Sequence, residues 1–178
     1  MVVNVAQLLK ADIGTCRTVV VDEVIQPFDE SSKAVSPLRG TAQLIRTNVG
    51  ILVTGRFTIS AELECSRCLD LSVEPVTIEF AELFVPIVDV ATGAPTHLPR
   101  DDQSFIINEK HELDLDPAIR EYGLLALPMK PLCRIDCAGL CPRCGVNRNR
   151  ESCDCVINEP DERFAVLRTL LNNGYHQN

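Results

Sequence analysis

Cysteine is the residue type that most constrains how this chain can fold. The 178 residues include nine cysteines, and six of them fall between Cys133 and Cys155. In a reducing compartment, clustered cysteines seldom form structural disulfides and usually bind metal or take part in redox chemistry. Cys16 stands alone and is expected to be a small buried residue. The other eight cysteines are enough for two complete four-thiolate metal sites.

The strongest local signal is a run of two cysteine pairs in the carboxyl-terminal half. Cys141 and Cys144 are separated by two residues, and Cys153 and Cys155 follow within a span of 15 residues. Two intervening residues let both sulfurs of a pair reach one metal ion, and Gly145 permits a turn that directs backbone N–H groups at the thiolates. Soft thiolates favour zinc over hard cations, although an iron–sulfur cluster uses the same ligand type. We therefore predict a metal site here, with zinc as the preferred metal.

The other four cysteines form two pairs that are far apart in the sequence. Cys65 and Cys68 lie in the first half of the chain, whereas Cys133 and Cys137 directly precede the cysteine run. Neither pair completes a tetrahedral site alone, so we predict that the fold brings the two pairs together at a second zinc site. The alternative exchanges pairs between sites, for example by grouping Cys133 and Cys137 with the pair at positions 153 and 155.

Both sites are predicted to be structural rather than catalytic. A catalytic zinc usually keeps one open position and uses histidine or carboxylate ligands, whereas cysteine fills every position here. The three histidines, His97, His111 and His176, are expected to be ordinary surface or loop residues. The sequence has no glycine-rich phosphate loop after a strand and no recognisable catalytic spacing of serine, histidine and aspartate. We predict that the protein is not an enzyme.

An alternating stretch predicts the central hairpin of the fold. Residues 56–64 alternate between polar and apolar side chains, as a half-buried strand does, and a second strand is predicted over residues 76–80. The two strands are expected to form a hairpin whose tip carries Cys65 and Cys68. Because the predicted strands come first and the main helices later, the fold class is α+β, with an antiparallel sheet that can curl toward a barrel.

A few helices complete the predicted fold. We expect a short amphipathic helix at residues 4–10, a helix with Asp116 as its N-cap, and a last helix that starts near Pro160. The α+β core is predicted to cover residues 1–130. Residues 131–178 are predicted to form a cysteine-rich, zinc-binding loop and the closing helix, packed on the core as one domain.

The first residues lack a cationic region and are interrupted by Lys10 and Asp12, so we expect no signal peptide there, and no stretch approaches 18 apolar residues. We therefore expect a cytoplasmic protein without a membrane partner, and no feature points to a small-molecule substrate. The formal net charge of −8 argues against general electrostatic binding to nucleic acid. Aromatic residues make up only 4% of the chain, which leaves few side chains on which bases could stack.

The charge is uneven along the sequence. Positions 130–150 hold five cationic side chains against Asp136 alone. This cluster is either a contact surface for RNA or a partner, or a set of solvated side chains that offset the thiolate charge. The alternative partner is a basic protein that binds the acidic segments of the chain. The cationic residues are Lys130, Arg134, Arg143, Arg148 and Arg150.

Together these motifs resemble the YceD family, whose members are called large ribosomal RNA subunit accumulation proteins. The resemblance runs through most of the chain, in order and spacing. One departure is Arg148, where a leucine is expected from the family pattern. The matching segments are LECSRCL at 63–69, ELDL at 112–115, LP at 127–128, PLC at 131–133, CAGLCPRCGVN at 137–147, CDC at 153–155 and DERFAVL at 161–167.

The resemblance implies a bacterial or plastid protein that supports the synthesis, processing or accumulation of large-subunit ribosomal RNA. Its partner would be ribosomal RNA, or a ribosomal or assembly protein, and no catalytic residues carry over. An alternative function is a zinc–thiol redox switch or holdase chaperone, in which oxidation of the thiols releases the metal and unfolds the cysteine region.

Overall fold

The computed structural model describes residues 1–28, 33–96 and 105–155. It divides the chain into two compact units. The sheet unit comprises Met1–Ser66 and Asp70–Cys133, and the cysteine unit comprises Arg67–Leu69 and Arg134–Asn178. The predicted packing of the cysteine-rich region on the core as one domain stays a prediction. The expected helix near Pro160 lies outside the described residues.

The described part of the sheet unit contains eight strands and two helices. The predicted α+β class is confirmed, with a curled, mixed sheet in the order β1-β8-β7-β6-β5-β4-β2, and β3 paired with β5. Neighbouring strands are antiparallel, except that β6 and β7 run parallel. The elements are β1 (Val2–Asn4), α1 (Ala6–Lys10), β2 (Cys16–Glu23), β3 (Lys33–Ala34), β4 (Leu38–Arg46), β5 (Ile51–Glu64), β6 (Leu71–Pro86), β7 (Phe105–Ile107), β8 (Glu112–Asp114) and α2 (Asp116–Ala126).

The β5–β6 hairpin contains the two longest strands described in the sheet unit. The side chains of β5 alternate between buried and more exposed along its length, which confirms the predicted period of two. The pairing register runs from Ile51 opposite Phe84 to Glu64 opposite Leu71. The hairpin is therefore longer than predicted, and its two strands end directly beside the Cys65–Cys68 turn, as the sequence indicated.

The core lies on the inner face of the curled sheet, where α2 covers it. Phe57 is fully buried, and its ring centroid lies 6.0 Å from that of Phe80. The Tyr122 ring from α2 stacks on Phe80 at 5.4 Å, and the Tyr122 hydroxyl donates to the Glu82 carboxylate. This bond is the largest cause of a raised Tyr122 pKa. At Gly123 a Cβ atom would meet the Phe28 ring at 2.4 Å, so a residue without a side chain lets α2 approach.

Two expectations about the sheet unit were wrong. The N-cap of α2 is Leu115 rather than Asp116, and Asp116 is already helical. The N–H of Asp116 donates to Asp114 Oδ1 at 3.1 Å, so the carboxylate at the helix start belongs to the preceding strand residue. Cys16 is exposed on β2 rather than buried.

Among the described residues, no helix is long and apolar enough to cross a membrane.

Candidate metal centres

Four cysteines of the cysteine unit converge in space. The sulfur atoms of the loop group, defined as Cys141, Cys144, Cys153 and Cys155, all lie within 4.8 Å of one another. Cys141 is buried, Cys144 is exposed, and the other two are half-buried. One metal ion can therefore be reached by all four sulfurs, as the short spacing of the two pairs predicted.

A tight turn holds the first pair of the loop group. The N–H of Gly145 donates to the Cys141 carbonyl at 2.8 Å, and the Cys141 N–H donates to the Val146 carbonyl at 2.8 Å. Gly145 has a φ of 75°, a left-handed conformation that glycine adopts without a steric penalty. The glycine after the second cysteine thus reverses the chain and places Cys144 beside Cys141.

The electrostatics of the loop group suit a bound cation. Hydrogen bonds from the backbone N–H groups of Cys144 and Arg143 lower the pKa of the Cys141 thiol to about 6. Hydrogen bonding to Cys144 and burial raise the pKa of Cys155 to about 12. The backbone N–H of Cys155 acts to lower the pKa of Cys153, but bonding to Cys141 and burial raise it overall. Four thiolates at this separation repel one another unless a cation neutralises them, so metal binding is what would let all four ionise together.

The remaining four grouped cysteines form a second set. The sulfur atoms of the hairpin group, defined as Cys65, Cys68, Cys133 and Cys137, also lie within 4.8 Å of one another. Three of them are buried and Cys133 is half-buried. The structure therefore brings Cys65 and Cys68 together with Cys133 and Cys137, as predicted. It does not show the alternative in which Cys133 and Cys137 join Cys153 and Cys155. Each group offers a complete set of four soft donors that could hold a metal ion.

The two C-x2-C turns share one backbone pattern. The Cys65 N–H donates to the Asp70 carbonyl at 2.9 Å, which repeats the bond from Cys141 to the carbonyl five residues later. Leu69 follows the second cysteine of its turn, as Gly145 does, and it has a φ of 62°. A left-handed leucine is strained by roughly 1–2 kcal/mol. The same C-x2-C turn is therefore built twice, once with glycine in the left-handed position and once with leucine.

The order of these cysteines and turns is that of a known protein family. The family model "Large ribosomal RNA subunit accumulation protein YceD" matches residues 53–171, which include both cysteine groups. This match covers more than half of the chain.

The chain belongs to the YceD family.

Curated relatives extend this comparison. An uncharacterised protein of Mycobacterium tuberculosis H37Rv is 40% identical over 97 residues, which cover 54% of this chain and 44% of that protein. An uncharacterised protein of Mycobacterium leprae is 32% identical over 97 residues, covering 54% and 42%. The large ribosomal RNA subunit accumulation protein YCED homolog 1, chloroplastic, of Arabidopsis thaliana is 22% identical over 156 residues, covering 76% and 49%. The chain thus spans less than half the length of these relatives, and no solved structure matches it.

The cationic residues predicted as a contact surface are all exposed in this YceD-family chain. Lys130 belongs to the sheet unit, and the four arginines belong to the cysteine unit. Arg134 forms an ion pair with Asp136 at 3.4 Å and donates to Asn149 Oδ1 at 2.7 Å, so part of its role is structural. A role in binding remains a prediction for all five residues.

Asn149 is a site residue that sequence reasoning missed. It lies in the loop between Cys144 and Cys153, and its Nδ2 donates to Cys137 Sγ at 3.3 Å. Arg67 was quoted only as part of a motif, yet its Nη1 donates to the Cys137 carbonyl at 3.0 Å. An asparagine in a polar loop and an arginine between cysteines carry no spacing signal for such contacts. Their position relative to the cysteines becomes informative only once the loop is folded.

Proposed function

We propose that this chain is a non-enzymatic, zinc-binding factor that supports the synthesis, processing or accumulation of large-subunit ribosomal RNA. The observation that carries the proposal is the family match over residues 53–171, because that span contains both four-cysteine groups. Such a role suits the cytoplasm, where a bacterial cell assembles its ribosomes. The redox-switch or holdase alternative gains no support from the family match.

Zinc is proposed because both groups consist of four cysteines. Structural zinc sites are typically closed tetrahedra of cysteine and histidine, and they supply folding energy rather than catalysis. In either group the four cysteines would fill all four coordination positions of the metal, so none would stay open for water or a substrate. The cysteine unit would accordingly serve as a metal-ordered binding module.

The proposed RNA contact is the arginine surface of the cysteine unit. Its described residues carry five exposed arginines, Arg67 together with the four predicted from the sequence, against three acidic side chains. Arg67 donates to the Cys137 carbonyl and Arg134 to Asn149 Oδ1, so replacing either one would disturb the surroundings of Cys137 directly. The side chains of Arg143, Arg148 and Arg150 are exposed and belong to neither cysteine group, so they can be replaced without removing a metal ligand.

Replacing Arg143, Arg148 and Arg150 together by glutamine tests this surface. If all three contact phosphates, affinity for large-subunit RNA fragments falls and the salt slope of binding decreases by roughly 2 to 3, at about 0.7–0.9 per contact. The matched control replaces Arg39, Arg56 and Arg120, three exposed arginines of the sheet unit, and makes the same charge change. In cells, only the first variant should lower the ratio of large-subunit to small-subunit ribosomal RNA.

A cleft in the sheet unit favours a second kind of partner, a basic protein. The cleft has a volume of about 810 Å³. Its lining includes Phe84 and Phe105, whose ring centroids lie 5.0 Å apart. Among the described residues, no lysine or arginine lines it. Its acidic lining residues are Glu82, Glu112, Asp114 and Glu121.

Recovery of the tagged chain from growing cells separates these partners. If RNA is the partner, precursor RNA of the large subunit is recovered, and nuclease treatment during isolation releases it. If a basic protein is the partner, that protein stays bound after nuclease treatment and is lost when Glu112 and Glu121 are changed to glutamine. Normal large-subunit RNA levels in cells that lack the protein would contradict the proposed function itself.

A further inference from the structure

The side chain of Asn149 connects the segments that carry the two cysteine groups. Asn149 lies between Cys144 and Cys153 of the loop group, yet its Nδ2 donates to the sulfur of Cys137 in the hairpin group at 3.3 Å. Its Oδ1 accepts the Ala138 N–H at 2.8 Å. One side chain therefore binds both a proposed ligand sulfur and the backbone next to it.

The loop fold fixes the position of Asn149. The Oδ1 of Asn147 accepts the Asn149 N–H at 3.0 Å and the Asn149 Nδ2 at 2.9 Å, so the amide is oriented by the residue two positions earlier. The N–H of Arg148 donates to the Gly139 carbonyl at 2.9 Å, and Asn147 forms a bridge with Leu140. These contacts hold the loop against the segment that follows Cys137.

No apolar side chain is buried in the loop that carries Asn149. Among the described residues of the cysteine unit, the buried side chains are three cysteines, and the only other buried residue is Gly139. The ends of the loop are Cys144 and Cys153, which a metal at the loop group would join. Without that metal, the closure of the loop and the place of Asn149 depend on hydrogen bonds, each of which adds only modestly to stability.

We infer that Asn149 makes metal binding at the two cysteine groups cooperative. Filling the loop group closes the loop and sets the Asn149 Nδ2 against Cys137, where an N–H donor stabilises a ligand thiolate of the hairpin group. Because coupling between two binding equilibria is reciprocal, a filled hairpin group strengthens the loop group by the same factor. The inference rests on the metal centres of the proposed function and is independent of any RNA contact.

The expected size of the coupling follows from the kind of contact. Loss of a hydrogen bond to a metal-ligating side chain typically costs 10–100-fold in metal affinity. When metal-free wild-type protein is titrated with Co²⁺, native mass spectra should therefore show mainly metal-free and two-metal chains at half saturation. Asn149→Ala should instead accumulate the one-metal form and bind its second ion 10–100-fold more weakly.

Two further variants separate the Asn149–sulfur bond from general disturbance of the loop. Asn149→Asp keeps an oxygen acceptor for the Ala138 N–H but has no N–H donor for Cys137, so it should also accumulate the one-metal form. Ser152→Ala changes an exposed side chain of the same loop and should titrate like the wild type.

The Cys155→Ser background shows whether Asn149 transmits the effect of the loop group. This variant leaves only the hairpin group able to bind with four cysteines. Adding Asn149→Ala to it should change its Co²⁺ affinity less than twofold, because the loop no longer places Asn149. An equal loss in both backgrounds would show that Asn149 is a local donor rather than a coupling residue, and would overturn the inference.

The remaining outcomes also discriminate. An Asn149→Ala titration that matches the wild type, or an Asn149→Ala chain that binds no ion at all, would contradict the coupling. If the wild type binds two ions with a large one-metal population, the centres exist but act independently. If the wild type takes up no Co²⁺, the metal centres of the proposed function fail, and this inference fails with them.

Discussion

The sheet unit and the described part of the cysteine unit differ in the side chains that they bury. Among the described residues, all members of the apolar core cluster belong to the sheet unit, from Val3 to Ile119. In the described part of the cysteine unit, the buried residues are Cys68, Cys137, Cys141 and Gly139. The sheet unit therefore buries many apolar side chains besides Cys65 of the hairpin group, whereas the described part of the cysteine unit buries three potential metal ligands and one glycine.

This difference teaches where the stability of each unit comes from. Burial of apolar surface stabilises a sheet by roughly 25 cal/mol for each Å², and it needs no partner beyond the chain. A segment without apolar side chains to bury cannot offset its loss of conformational entropy in that way. The described residues of the cysteine unit bury no apolar side chains other than cysteines, and bonds from thiolates to a metal are the source of free energy that these side chains offer.

Metal removal should have the largest effect on stability, and it should affect residues 134–155 but not the central strands of the sheet unit. Structural zinc contributes an apparent binding free energy of about 10–16 kcal/mol in small zinc domains, and this is folding free energy. After chelation, the amides of residues 134–155 should exchange rapidly, whereas those of β5 and β6 keep their protection. Hydrogen exchange followed by mass spectrometry measures both regions in one sample, and returning the metal should restore the protection. Equal loss in both units would remove the distinction between them.

Replacement of one ligand should have the next largest effect. Cys141→Ser removes the buried member of the loop group, so the chain should lose one bound metal and the loop on the order of several kcal/mol of local stability. The control is Cys16→Ser, which changes an exposed cysteine outside both groups and should leave the metal content unchanged. Mass spectra of the intact native protein give the metal count. A Cys141→Ser chain with full metal content would show that Cys141 is not a ligand.

A core substitution should produce the opposite pattern. Phe57→Ala removes a fully buried ring from the sheet unit and should lower the free energy of unfolding by about 3–5 kcal/mol. Val20, on β2, is 78% exposed, and Val20→Ala should change stability by no more than about 0.5 kcal/mol. Denaturant unfolding measures both variants. The folded Phe57→Ala protein should keep its full metal content, and a loss of metal at low denaturant would argue against separate sources of stability.

Substitutions in the two C-x2-C turns should have the smallest effect on stability. Gly145→Ala places a Cβ at a φ of 75° with no atom within 4 Å, so its cost should be backbone strain alone, about 1 kcal/mol. Leu69→Gly should act in the other direction by a few tenths of a kcal/mol, since relief of strain is partly offset by the entropy of glycine in the unfolded chain. Rates of metal transfer to a chelator should rise for the first variant and fall for the second. Changes of the same sign would contradict the shared backbone pattern.

The sequence was informative wherever the signal was local. Cys141 and Cys144 are close enough in the chain to dictate a shared turn, and the alternation of β5 predicts a strand whichever neighbours it has. The three-residue strands β1 and β8 are too short to show any period, so they were missed. The parallel pairing of β6 with β7 depends on how the chain returns between them, which no side-chain pattern records.

The site shows the same limit to local reasoning. Pairing Cys65 and Cys68 with Cys133 and Cys137 followed from counting ligands rather than from geometry. The contact between Asn149 and Cys137 could not be predicted, because it depends on the folded loop. The Asp116 error had a similar origin, since the carboxylate that meets the helix start comes from the strand residue Asp114.

The most direct test of this account is the number of metal ions in the native protein. The full chain, purified under reducing conditions without chelator, should carry two zinc ions, and its eight grouped cysteines should resist alkylation until the metal is removed. Elemental analysis and native mass spectrometry give the count independently. One ion per chain would contradict the assignment of a metal to each group. A metal-free chain whose residues 134–155 are protected from hydrogen exchange would contradict the central claim that metal, rather than buried apolar side chains, orders residues 134–155.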